Sequence, residues 1–162
     1  MTSDRKTHEL AAAGIIAAFY VALTLLSNAA GLANGMVQIR ISEALCVLPV
    51  VTGAAVPGLF VGCLAANLLT GCALWDVLGG ALATLLGAWM TRKLRDRKFL
   101  RLLPPVLTNT LVVPVLLAKV YGITAAWPVL AAGVFAGEAV SCVVLGGIVL
   151  RILEKNRKLM KL

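Results

Sequence analysis

Six apolar runs separated by short breaks constrain this chain more than any other feature of it. They cover residues 10–30, 44–56, 58–70, 77–91, 104–121 and 127–152. A helix that crosses a bilayer needs about 20 mostly apolar residues, so six take about 120, most of a chain of 162. The composition is 60% apolar and 14% charged, against about 45–50% and about 25% in soluble domains. Those proportions leave no room for a soluble catalytic or nucleotide-binding domain. They predict an all-α integral membrane bundle, one transmembrane domain over 1–162, with helices near 9–30, 41–56, 57–70, 76–92, 104–121 and 127–152 and a basic loop at 92–103.

The breaks carry their own signals. Residues 31–35 and 71–76 join Gly with Asn or Asp, residues suited to positive φ and to turns, and form two candidate external gates. Residues 38–42 alternate polar and apolar, a period of two beside spans of helical period. Asp76 is a candidate helix cap, and Pro104–Pro105 and Trp127–Pro128 suit first helical turns.

Charge sets the expected orientation. Fifteen Lys and Arg face seven Asp and Glu, a formal net charge of +8. In a membrane chain that excess reads as topology, and no nucleic-acid partner is expected. Thirteen of the fifteen cations lie before the first span, between the fourth and fifth, and after the sixth. Six spans place those regions on one side, so both termini are predicted to be cytoplasmic. Arg40 and Lys119 fall toward the outside.

Ionisable groups inside a membrane are costly and each needs an explanation. Glu138 lies about 16 Å along a helix from Trp127, near the midplane. It reads either as a hydrogen-bonded structural glutamate or as a substrate or proton site. Arg40, Glu43 and Asp76 fall near the outer face, where Arg40 and Glu43 could also form a structural pair. Asn67 can face the same region, Asn109 reads as a tie between helices, and Trp75, Tyr121 and Trp127 fit an aromatic belt. Ala13-x-x-x-Ala17, Ala18-x-x-x-Ala22, Gly58-x-x-x-Gly62 and Gly133-x-x-x-Gly137 allow close helix approach. The four cysteines stand singly, without C-x-x-C and with His8 the one histidine, so they read as buried small residues and no metal site is expected. No phosphate-binding, dinucleotide or hydrolase motif is present. The chain is thus not expected to be an enzyme or to hold a cofactor, and any ATP must be hydrolysed elsewhere.

The run Gln38-Ile-Arg-Ile-Ser-Glu-Ala-Leu-Cys-Val-Leu-Pro49 resembles the signature of the queuosine-precursor transporter (QueT) family. The likeness continues through Pro57-Gly-Leu-Phe-Val-Gly-Cys-Leu-Ala-Ala-Asn67, Asp76, Leu82-Ala-Thr-Leu-Leu86, Leu103-Pro-Pro-Val-Leu-Thr-Asn109 and Gly137-Glu138. Cys46 stands where the family more often has Thr, and a Gly expected before Pro114 is missing. The resemblance implies a six-helix S-component of an energy-coupling factor (ECF) transporter, multi-pass in a bacterial plasma membrane. Its implied partners are the ECF coupling transmembrane subunit and two cytoplasmic ATPases. Ala13 and Ala17 match the alanine motif with which S-components dock on that subunit.

The implied substrate is a 7-deazaguanine: the aminomethyl or cyano queuosine precursor, or queuine. A guanine-like edge presents adjacent N–H donors to one carboxylate, a protonated amine favours a second, and a flat ring favours aromatic stacking. These needs select Glu138 for the edge, Glu43 or Asp76 for the amine and Arg40 for the base carbonyl or as an orienting group, with Asn67, Trp75 and Tyr20 as neighbours. The competing readings are an S-component for another vitamin and a stand-alone proton-coupled carrier.

Overall fold

The computed structural model describes residues 2–33 and 37–160; part of the 31–35 turn and Lys161 lie outside them. Six helical rods and no strands occur among the described residues. They are α1 (Thr2–Ala29), a 3-10 helix (Ile41–Val50), α2 (Ala55–Leu69), α3 (Leu74–Lys93), α4 (Leu103–Lys119), and one composite rod. That last rod joins α5 (Trp127–Glu138), a π-helical segment (Ala139–Leu145) and α6 (Gly146–Met160). Four rods among the described residues are long and apolar enough to cross a membrane: α1, α3, α4 together with the 3-10 turn before it (Leu100–Lys119), and the composite rod.

The predicted α-helix over 41–56 is instead a 3-10 helix that ends at Val50. Ten residues at about 2.0 Å each cover about 20 Å, against about 15 Å as an α-helix. The tighter winding lets a short segment run through the middle of the bundle. Ser42, Glu43, Ala44, Cys46, Val47 and Pro49 are buried on all its sides, which suits a helix enclosed by others. Both its ends are closed by side chains from neighbouring helices. Ile41 N–H donates to Ser27 Oγ of α1 at 2.9 Å. Arg92 of α3 donates to the carbonyls of Pro49 and Val50 at 3.0 and 3.4 Å, meeting acceptors that a helix end leaves open.

Glycines set how closely the rods meet. A Cβ on Gly58 would lie 2.7 Å from Ala13 O, and one on Gly62 would lie 2.8 Å from Tyr20 Cβ and 3.0 Å from Ala17 Cα. The Ala13–Ala17 face, expected to meet another subunit, therefore packs on α2 inside this chain. Small residues that α1 turns outward include Gly14, Ala18 and Ala22. On the composite rod, a Cβ on Gly137 would lie 2.1 Å from Gln38 O. The segment entering the 3-10 helix thus crosses directly over this glycine, and Arg40 within it is extended (φ −103°, ψ 106°). The alternating pattern at 38–42 is accordingly realised over its first residues and gives way to helix at Ile41.

The core gathers Tyr20, Leu59, Cys46, Cys63, Cys142 and Val106 among small residues, while Leu10, Phe19, Leu26, Trp75 and Phe135 face outward. Arg92, Arg101 and the start of α1 sit at one end, with Gly53 near Arg92 and near the α1 surface. Arg101 also pairs with Glu154 at 2.9 Å. The opposite end, where α3 begins and α4 finishes, opens into a cavity.

Candidate functional site

One face of α1 places Tyr20, Thr24 and Ser27 in register, and all three are buried. Thr24 Oγ1 bonds Ser42 Oγ at 2.8 Å, so this face holds the 3-10 helix from its first turn. The Tyr20 hydroxyl donates a short hydrogen bond to Glu43 Oε1. Residues three apart eclipse in a 3-10 helix, and Cys46 accordingly stacks on Glu43, its thiol 3.0 Å from Oε2. Both oxygens of a carboxylate only 1% exposed are thereby engaged.

Glu138 closes α5 where the π segment begins, a form of helix that often marks functional positions. Asn109 Nδ2 of α4 donates to its Oε1 at 3.0 Å, and the Cys142 thiol lies 3.4 Å from its Oε2. The Cys142 thiol also lies 3.5 Å from Glu43 O. One side-chain atom each from Glu43, Glu138 and Cys142 falls within 4.8 Å of the others. That spacing can gather a cation, and all four carboxylate oxygens already accept hydrogen bonds within the chain. Arg40 reaches Asn67, whose Oδ1 accepts from Nη2 at 2.5 Å. Among the described residues no ion pair within 4 Å joins Arg40 to either glutamate.

These groups floor a cavity of about 330 Å³, walled by Thr24, Gln38, Thr84, Asn109 and Val134 and opening past Gly71, Cys72, Asp76 and Tyr121. The volume lies at the small end of ligand pockets. At the mouth the Tyr121 hydroxyl donates to Asp76 Oδ2 at 2.7 Å and accepts from Ala73 N–H at 3.3 Å. Partial burial, then the bond to Asp76, raises the Tyr121 hydroxyl above its ordinary value and keeps it a donor. Asp76 therefore ties α3 to the end of α4; the cap position of α3 belongs to Ala73.

Of the residues selected from sequence, Glu138, Glu43, Asp76 and Arg40 line the cavity. Asn67 and Tyr20 stand one layer behind, bonded to Arg40 and Glu43 respectively. Trp75 does not join them: it is 71% exposed, because a residue next to Asp76 in a helix points about 100° away. Asn109 and Tyr121, read from sequence as a tie and a belt residue, also line the cavity. Gln38, Thr24 and Thr84 were not singled out. For Thr24 a signal existed in the polar Tyr20, Thr24, Ser27 spacing on an otherwise apolar helix.

An all-helical apolar bundle with a polar, charge-bearing cavity buried among its rods defines a multi-pass membrane protein built to hold a small polar molecule. The family model described as QueT transporter matches residues 10–155. The chain belongs to the QueT transporter family. No curated protein and no solved structure matches it.

Proposed function

We propose that this chain is the substrate-binding S-component of an ECF-type importer and captures a queuosine precursor, a 7-deazaguanine, from outside the cell. The family match over residues 10–155 carries this reading, and the cavity's chemistry supports it. Glu138 takes the N–H edge of the guanine-like ring, Arg40 the base carbonyl, and Glu43 or Asp76 the amine of an aminomethyl form. Asn67 and Tyr20 fix the orientation of Arg40 and Glu43. The cations at the end opposite the cavity mouth support a cytoplasmic placement of both termini and an outward-facing mouth. The turn carrying Gly71 and Asp76 serves as the gate. Energy comes from two ATPases through the coupling subunit, which docks on the outward α1 face bearing Gly14, Ala18 and Ala22. This chain itself needs no cofactor.

The test is to purify the chain in detergent and titrate it with aminomethyl and cyano deazaguanines and queuine, with riboflavin and thiamine alongside. Binding of a deazaguanine with no response to the vitamins is expected; the reverse pattern overturns the substrate. Uptake by cells expressing the chain with and without the coupling subunit and ATPases separates an S-component from a proton-driven carrier, which works alone.

A further inference from the structure

The floor of the cavity holds an unbalanced set of buried charges. Glu43 is 1% and Glu138 6% exposed, and their oxygens come within 4.8 Å of each other. Two carboxylates so close, and shielded from water, do not both ionise without a compensating cation. Arg40 can balance one of them, and its guanidinium is anchored on Asn67. The other groups facing the pair are Tyr20 from α1, Cys63 from α2, Cys46 from the 3-10 helix and Cys142 from the π segment. These are a phenol and three thiols, and none of them supplies a cation. Asp76 adds a further acid at the mouth, where water screens it.

We infer that Glu138, buried beside Glu43, keeps a proton while the cavity is empty, and that a ligand carrying a protonated amine displaces that proton to solvent. The inference rests on the deazaguanine reading above and narrows it to the cationic, aminomethyl-bearing ligand over the neutral cyano one. In such a ligand the aminomethyl group hangs from the ring carbon beside the base carbonyl. Ring N–H, carbonyl oxygen and ammonium therefore line one side of the molecule. That order meets Glu138, Arg40 and Glu43, with the ammonium on Glu43. Proton out and cation in leaves the buried charge unchanged, so the empty and loaded cavities cost the same to keep inside a membrane.

The experiment is isothermal titration of the full-length chain in detergent with each ligand, in two buffers of different ionisation enthalpy and over about pH 5.5–8, above the ordinary carboxylate range. The aminomethyl ligand is expected to release about one proton and to gain about tenfold in affinity per pH unit wherever Glu138 of the empty cavity still holds its proton. The cyano ligand is expected to release none and to bind more weakly. Glu138→Gln leaves Arg40 balanced by Glu43 alone, so proton release disappears and aminomethyl affinity falls on the order of 30-fold. Glu43→Gln gives a second, independent variant with the same expectation if the first unfolds. Aminomethyl binding with no proton release and a flat pH profile overturns the inference and leaves the deazaguanine reading intact. Equal affinities for the two ligands do the same. Failure of both ligands and of queuine to bind removes the deazaguanine reading and this inference with it.

Discussion

Replacing Gly137 by Ala tests whether the segment carrying Arg40 is seated by contact with the composite rod. The new Cβ would lie 2.1 Å from Gln38 O, 2.8 Å from Gln38 C and 3.1 Å from Gln38 N, all backbone atoms. A carbon normally approaches a carbonyl oxygen no closer than about 3.3 Å, so the peptide must retreat by about 1.2 Å. Arg40 lies two residues further on, held to Asn67 at 2.5 Å. A shift of that size takes the pair past ordinary hydrogen-bond length. Overpacking of this kind costs about 1–3 kcal/mol, and a stranded buried partner adds about 1–3 kcal/mol. If about 1.4–2.8 kcal/mol of this reaches the binding step, ligand affinity falls about 10- to 100-fold. Titration with aminomethyl deazaguanine and thermal unfolding in detergent measure the two parts. Gly147→Ala on the same rod is the control, because its Cβ meets nothing within 4 Å. A Gly137→Ala protein that binds and melts like the unaltered chain refutes the crossing.

Four further outcomes follow from the same geometry. Tyr20→Phe removes the hydroxyl from buried Glu43 and should destabilise the chain by about 1–3 kcal/mol, read as a lowered melting temperature; unchanged melting would show the bond to be idle. Arg92→Gln uncaps the carbonyls of Pro49 and Val50 and should cost about 1–2 kcal/mol, with faster amide exchange at that end of the 3-10 helix as its local signature. Leu in place of Ala18 or Ala22 should abolish uptake while leaving ligand binding within about 2-fold of normal, whereas Ala13→Leu, jammed against Gly58, should lower stability by about 1–3 kcal/mol; co-purification of the coupling subunit distinguishes them. Tyr121→Phe frees Asp76 at the mouth and should speed ligand release several-fold in stopped-flow, by loss of a solvent-exposed hydrogen bond worth about 0.5–1.5 kcal/mol.

The membrane bundle and the acidic lining were legible because both rest on one-dimensional signals. Apolar length marks a span, and a charge inside a span marks a site. Glu138 declares itself in that way, and Arg40, Glu43 and Asp76 do so as charges set against the outer ends of apolar runs. Other features depend on winding and contact that spacing does not encode. Residues 41–50 are as apolar as an α-helix of that length would be, and only their place in the centre of the bundle draws them out into 3-10 form. Trp75 offers the aromatic face that stacking favours, but the helix that points Asp76 at the cavity turns Trp75 outward. Ala13 and Ala17 matched a motif by residue type, but Gly58 and Gly62 supply the surface they fit.

The unequal rods have a consequence for the lipid around them. At about 1.5 Å per residue, the fifteen residues of α2 reach about 22 Å, whereas the 30-residue span Trp127–Asn156 reaches about 45 Å. The hydrocarbon core is about 30 Å thick. The bilayer must thin beside α2 or the long rod must tilt, each at a fraction of a kcal/mol per Å of mismatch. Membrane thickness thereby becomes a variable that acts on this chain as a body, biasing its inclination before any ligand or partner arrives.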